Sequence, residues 1–152
     1  MARRPFALQL LLDQSRARLD EVTGQLGRLI AHEQEGSHKL KQLEEYRQEY
    51  ALRFSEAARN GLGMDALRNY SAFMERIDKA IEAQRALLEQ SRRNTETGKQ
   101  AWVEQRNRKL AFDTLHTRHR TRESSLERRR EQRQTEEHLG NRFHAKTDPQ
   151  DD

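Results

Sequence analysis

Three groups of side chains in this chain have types and spacings that could do chemistry. His116 and His119 lie three residues apart, so on a helix they share a face and could both reach one metal ion. A protein metal site needs three or four ligands. The chain has no cysteine, and no convincing third ligand accompanies this pair, so a solvated or interfacial histidine pair is the better reading. His32 and His38 are badly spaced to share an ion. Residues 116–134 hold seven arginines against three glutamates. A planar guanidinium matches a carboxylate in a two-pronged fashion, which suits docking into an acidic socket; a plain solvated helix face is the competing reading. A basic helix reading DNA is a third reading, opposed by the interleaved Glu123, Glu127 and Glu131 and by the lack of an adjoining zipper. The last group is aromatic: Tyr46, Tyr50, Phe54, Tyr70 and Phe73. Aromatic rings either fill a core or anchor a partner, and Tyr46, flanked by Leu43 and Tyr50, fits an anchor. No glycine-rich phosphate loop and no serine-centred elbow occurs, so neither an enzyme nor a cofactor is expected.

These residues need elements to hold them, and the composition limits the choice. Of the 152 residues 36% are charged and only 33% apolar. Folding depends on apolar burial to offset the entropy of ordering the chain, so a thick layered core is out of reach. The apolar residues are nevertheless placed with regularity. From Leu8 the seam positions run Leu8, Leu12, Ser15, Leu19, Val22, Leu26, Leu29, Glu33, Gly36, Leu40, Leu43, Arg47, Tyr50, Phe54 and Ala57, at alternating spacings of four and three. Eleven of these fifteen are apolar, a seven-residue repeat that specifies a coiled coil. Asn60-Gly61-Leu62-Gly63 interrupts it with residues that end helices, and Asp65 is placed to cap the next. A second repeat then runs Leu67, Tyr70, Met74, Ile77, Ile81, Gln84 and Leu88. It thins through Ser91, Thr95 and Gly98 to Trp102, after which Leu110, Leu115 and Leu126 suggest a local change of supercoil.

The expectation is an all-α chain: two long helices in an antiparallel coiled-coil hairpin, helix 2 overhanging at its C-terminal end. Helix 1 is expected over 1–58, the connecting loop over 59–65, helix 2 over 66–139 and a frayed, disordered tail over 140–152. Turning back at Leu62 sets residue i opposite roughly residue 123 − i. At ~1.5 Å per residue the helices would measure about 80 Å and 110 Å, with the overhang starting near Arg118. Only Pro5 and Pro149 occur, one near each end, so nothing between them breaks a helix. The absence of cysteine suits a reducing compartment. No apolar run reaches the ~18 residues of a membrane span, and Leu8 to Leu12 is too short for a signal peptide. The formal net charge of +4 permits acidic partners without requiring nucleic acid.

Against this background the chain resembles the FliJ family of flagellar export proteins over nearly its whole length. The resemblance is strongest in Lys39-Leu40-Lys41-Gln42-Leu43-Glu44-Glu45-Tyr46-Arg47-Gln48-Glu49-Tyr50. Past the loop it continues in Asn69-Tyr70-Ser71-Ala72-Phe73 and in Ile77-Asp78-Lys79-Ala80-Ile81-Glu82. Ala101-Trp102 and Leu126-Glu127-Arg128-Arg129-Arg130-Glu131-Gln132 match more weakly. The resemblance implies a hairpin like the central stalk of rotary ATPases, in the cytoplasmic part of the flagellar type III export apparatus. It implies as partners the hexameric export ATPase, the cytoplasmic domain or linker of the membrane export-gate protein, and export chaperones. Nucleic acid is not among them. The implied gate-binding residues are Leu43, Tyr46 and Tyr50 on helix 1 with Phe73, Ile77, Ala80 and Gln84 on helix 2. The implied ATPase-binding end includes Arg128, Arg129, Arg130 and Arg133. It places the protein in the cytoplasm, peripheral to the inner membrane at the flagellar base.

Three rival readings make different predictions. The equivalent stalk of a virulence-type secretion system would share shape and mechanism, and genomic neighbours would tell the two apart. A basic nucleic-acid-binding helix predicts duplex binding that falls steeply with salt. A plain dimerising coiled coil predicts a dimer in sedimentation, where a closed hairpin stays monomeric.

Overall fold

The computed structural model describes residues 3–147, with side chains over 7–146. Two helices account for these residues apart from the turn: α1 (Arg3–Arg59) and α2 (Met64–Thr147). Pro5 falls in the first turn of α1, where its missing N–H removes no helical hydrogen bond. The turn is built as the sequence dictates. Asn60 N donates to Glu56 O (3.2 Å) and Gly61 N to Ala58 O (3.4 Å), closing the end of α1. Gly61 adopts φ +88°, a left-handed conformation that glycine reaches without a Cβ clash. Asp65 lies inside the first turn of α2 instead of preceding it, so it meets the positive end of the helix dipole rather than acting as the cap. α2 also continues through Gly140 to Thr147, past the boundary expected at 139. One glycine costs a helix only about 1 kcal/mol, too little to end it alone. The remainder of the expected tail, 148–152, lies outside the described residues.

The chain divides into two compact units. The loop-bearing unit spans Arg18–Arg106. Its helices are antiparallel, and cross-helix partners fix the register: Tyr50 with Phe73, Phe54 with Tyr70, Leu29 with Thr95 and Thr23 with Trp102. Their numbers sum to between 123 and 125, within two of the expected register. Every α1 seam position from Leu19 to Ala57 is partly shielded from solvent. On α2, Ile77, Ile81 and Leu88 are buried. The seam there begins at Ala66, which is more covered than Leu67, 39% exposed, so the expected starting position shifts by one residue.

Beyond Leu88 the seam is polar but satisfied. Thr95 Oγ1, buried, points at the carbonyls of Ser91 (3.0 Å) and Leu29 (3.4 Å). Trp102 Nε1 donates to Thr23 Oγ1 (3.0 Å), whose hydroxyl donates to Leu19 O (2.7 Å). Arg106 lies over the Trp102 ring at 5.6 Å. At Gly98 the facing leucines pack against the helix so closely that an added Cβ would meet Leu29 Cδ1 at 2.7 Å. One flank is laced by ion pairs between the helices: Arg47 with Asp78, Arg85 with Glu44 (3.2 Å) and Arg92 with Glu33 (3.8 Å).

The terminal unit comprises the chain up to Ala17 and from Asn107 onward. Leu12, 2% exposed, and Ser15 are its buried positions on α1. Its α2 face is not the expected Leu110 and Leu115, which stand half out in solvent, as does Leu126. The seven-residue repeat instead continues through Lys109, Phe112, His116 and His119. Lysine and histidine can lay their apolar parts along a seam while their polar ends reach water, so position in the repeat outranks residue type. Asp113 takes Arg16 (3.7 Å) and Lys109 (3.4 Å). From Arg120 to Lys146 every residue of α2 is exposed.

Candidate partner-binding surfaces

The loop-bearing unit concentrates its aromatic residues on facing turns of α1 and α2. Tyr46 and Tyr50 are four apart, one turn of α1, and the antiparallel register sets them against Phe73 and Tyr70. Tyr50 is at the centre: its ring centroid is 4.3 Å from Phe73 and 5.3 Å from Tyr70. Phe54 meets Tyr70 edge-on at 5.3 Å. Tyr46 reaches the edge of this cluster, 6.2 Å from Phe73 and 6.3 Å from Tyr50, and remains 47% exposed. Such ring pairs are worth about 0.5–1.5 kcal/mol each beyond their burial. The cluster therefore holds Tyr46 in place while leaving much of its ring for another molecule.

The seven residues expected to face the gate occupy different depths. Leu43 and Tyr46 line an open groove of about 620 Å³ together with Gln84. Ala80 is exposed beside it. Tyr50 and Phe73 are half-buried against each other. Ile77, 6% exposed, belongs to the seam and offers little surface, so its part is to set the spacing of its neighbours. Gln84 is engaged across the seam, its Nε2 donating to Gly36 O at 3.1 Å. Lys39, Gln42, Glu45 and Glu49 complete the groove and were not singled out by sequence reasoning. They sit on the polar side of the α1 repeat, where composition alone gives no reason to choose them.

Electrostatics differ on the ion-paired flank. Arg47 Nε and Nη2 both donate to the Asp78 carboxylate, the second at 3.5 Å. This hydrogen bonding, aided by the guanidinium charge, holds the Asp78 carboxyl below its ordinary value and raises Arg47 above its own. Both side chains remain accessible, so the pair guides register more than it stabilises.

In the terminal unit, Arg128, Arg129, Arg130 and Arg133 are all exposed on the stretch of α2 that extends past α1. His116 and His119 are half-buried, lining a cleft with Leu8, Gln9, Arg120 and Glu123. His119 Nδ1 is 3.7 Å from Glu123 Oε1. Among the described residues no group of three His, Cys, Asp or Glu side chains is placed to hold a metal ion. No described helix is long and apolar enough to cross a membrane.

A two-helix antiparallel hairpin, apolar along one seam and presenting an aromatic groove in one unit and bare arginines in the other, defines the class as an all-helical coiled-coil protein. Within that class the chain belongs to the flagellar FliJ protein family, whose model matches residues 4–148. It is 28% identical over 131 residues to the Flagellar FliJ protein of Salmonella typhi. It is 27% identical over 131 residues to the Flagellar FliJ protein of Escherichia coli strain K12. Each alignment covers 86% of this chain and 89% of the relative. The chain is accordingly a flagellar export component.

Proposed function

We propose that the chain is a non-catalytic stalk of the flagellar type III export apparatus, linking the hexameric export ATPase to the membrane export gate. The loop-bearing unit contacts the cytoplasmic domain or linker of the gate protein through Leu43, Tyr46, Tyr50, Phe73, Ala80 and Gln84, spaced by Ile77. The terminal unit contacts the ATPase ring through Arg128, Arg129, Arg130 and Arg133. The protein works in the cytoplasm, peripheral to the inner membrane at the flagellar base, and also assists in recycling export chaperones. The observation that supports this reading most is Tyr46: a large aromatic ring, braced by Tyr50 and Phe73, yet 47% exposed beside a groove. A side chain held rigid before binding loses little entropy on docking, which suits an anchor. Exposed arginines give attraction that weakens with salt, which suits an end that must engage a moving ring without locking to it.

The test is Tyr46→Ala in the full chain, with gate binding measured by titration calorimetry and folding by circular dichroism. The helical signal should be unchanged and affinity for the gate's cytoplasmic domain should fall by about 2 kcal/mol, roughly 30-fold. Unchanged affinity in the folded variant would remove the anchor and with it the gate assignment. In parallel, replacing Arg128, Arg129 and Arg130 by alanine should weaken ATPase binding at low salt and leave gate binding intact.

A further inference from the structure

The arginine-rich stretch of α2 carries one pattern twice. Leu115, Arg118 and Arg122 are followed, eleven residues on, by Leu126, Arg129 and Arg133, so Leu-x2-Arg-x3-Arg occurs in tandem within the terminal unit. Eleven residues make about three helical turns, which sets the second copy about 16.5 Å further along α2 and only about 20° round from the first. All six side chains therefore share one face, within about 80° of the helix circumference. That face is turned about 100° from the seam of Lys109, Phe112, His116 and His119, so α1 leaves it open. Leu115 is 49% and Leu126 54% exposed, and the four arginines are exposed as well. Charge is sorted around the helix. Glu123, Glu127 and Glu131 recur every four residues and line the side about 140° away. None of Arg118, Arg122 and Arg129 has an acidic residue three or four positions off, the spacing at which helical side chains meet. No ion pair among the described residues engages them. Arg120, Arg128 and Arg130, off this face, each have a glutamate three positions away, and Glu136 and Glu137 close the face beyond Arg133.

We infer that each Leu-Arg-Arg unit is one docking element, and that the two elements grip two like recesses of the export ATPase: an apolar hollow for the leucine, rimmed by carboxylates for the arginines. This rests on the ATPase reading of the terminal unit and deepens it, adding Leu115, Arg118, Arg122 and Leu126 to the contact set. The chemistry of the occupant follows from the stripe. Guanidiniums without an acid of their own call for carboxylates or phosphates. The leucine at the head of each unit decides between them, because it gains from burial in an apolar hollow of a protein and a phosphate backbone offers none. The same face of a second copy would bring like charges together. The exact repeat selects a partner that presents one recess more than once, as a ring of identical subunits does. Two weak elements of one kind bind firmly together while either lets go alone, which suits a stalk held in a ring that changes shape.

The experiment titrates the full-length chain with the purified, ring-assembled export ATPase. One variant carries Leu115→Gln, Arg118→Gln and Arg122→Gln, a second carries Leu126→Gln, Arg129→Gln and Arg133→Gln, and a third carries all six. Glutamine is close to leucine and arginine in helix propensity, so circular dichroism should match the parent in each. Either triple variant should weaken binding by about tenfold, the two to a similar extent, and the sixfold variant by about a hundredfold or more. Leu115→Gln with Leu126→Gln, which changes no charge, should weaken binding by about fivefold and leave its salt dependence as it was. Loss confined to the second triple variant would overturn the tandem grip and leave the ATPase reading standing. Normal binding by the sixfold variant, with loss in Arg128→Ala and Arg130→Ala together, would move the contact to another face and overturn the inference alone. A parent chain that does not bind the ATPase would remove both. Duplex DNA bound more tightly than the ATPase, lost with the arginines and kept by the leucine pair variant, would assign the stripe to nucleic acid and overturn the inference.

Discussion

Glycines inside the helices allow the hairpin register to be tested without any partner. Gly27 and Gly98 are both helical, and a helical glycine replaced by alanine gains about 1 kcal/mol of intrinsic helix stability. At Gly27 an added Cβ meets nothing within 4 Å, so the whole gain should appear. At Gly98 the Cβ would sit 2.7 Å from Leu29 Cδ1 and 3.4 Å from Leu26 Cδ1, inside the ~3.5–4.0 Å optimum for carbon contacts. The Leu29 methyl can swing aside, and an off-rotamer leucine costs about 0.5–1.5 kcal/mol. The two terms nearly cancel, so Gly98→Ala should be close to neutral. Leucine at the same sites amplifies the contrast. Its helix propensity is near that of alanine, so Gly27→Leu keeps most of the gain. At Gly98 the extra atoms overfill the seam, at a cost of about 1–3 kcal/mol. Urea unfolding followed by circular dichroism at 222 nm would rank the four variants, with Gly27→Ala most stable and Gly98→Leu least. Equal stabilisation by alanine at both sites would mean that α1 and α2 do not approach at Gly98, and the register drawn above would be wrong.

Ser15 Oγ is buried in the terminal unit without a hydrogen-bond partner, so Ser15→Ala should stabilise by about 1 kcal/mol, read as a higher denaturant midpoint. Trp102→Phe keeps the ring but removes the donor to Thr23 and should cost about 1 kcal/mol in the same assay; no loss would show that this hydrogen bond is not formed in solution. Asp78, hydrogen-bonded to Arg47, has its carboxyl held below the ordinary 3.8. Its folded pKa is therefore the lower one, so its stabilisation is fully present above about 3.8 and is lost as pH falls through the depressed folded value. Thermal melts in acid should rise with pH across that window, and Asp78→Asn should flatten this component.

The seam of α1 was legible because fifteen positions of a fixed repeat need only a majority of conforming side chains to declare themselves. Even Ser15, Glu33, Gly36 and Arg47, which break the apolar rule, lie where the repeat puts them. The second half of α2 was not legible by apolar content. Leu110 and Leu115 drew attention because they are leucines, yet the helix turns them outward and places Lys109 and His116 inward. A long helix cannot shift its repeat to suit two leucines without losing Phe112 and Trp102 from the seam. The aromatic cluster was readable from spacing plus the fold-back point, which brings Tyr50 to Phe73. The groove walls were not, because Lys39, Gln42, Glu45 and Glu49 look like any solvated helix face until the neighbouring helix is in place.

The two-surface account is tested most directly by site-specific photo-crosslinking in flagellated cells, with a photoreactive phenylalanine analogue placed at Tyr46 in one strain and at Arg130 in another. The chain has no cysteine, so added reducing agent leaves it covalently unchanged during recovery of the adducts. The account predicts that Tyr46 captures the export-gate protein and Arg130 the export ATPase. Capture of the ATPase from Tyr46, or of the gate from Arg130, would contradict it.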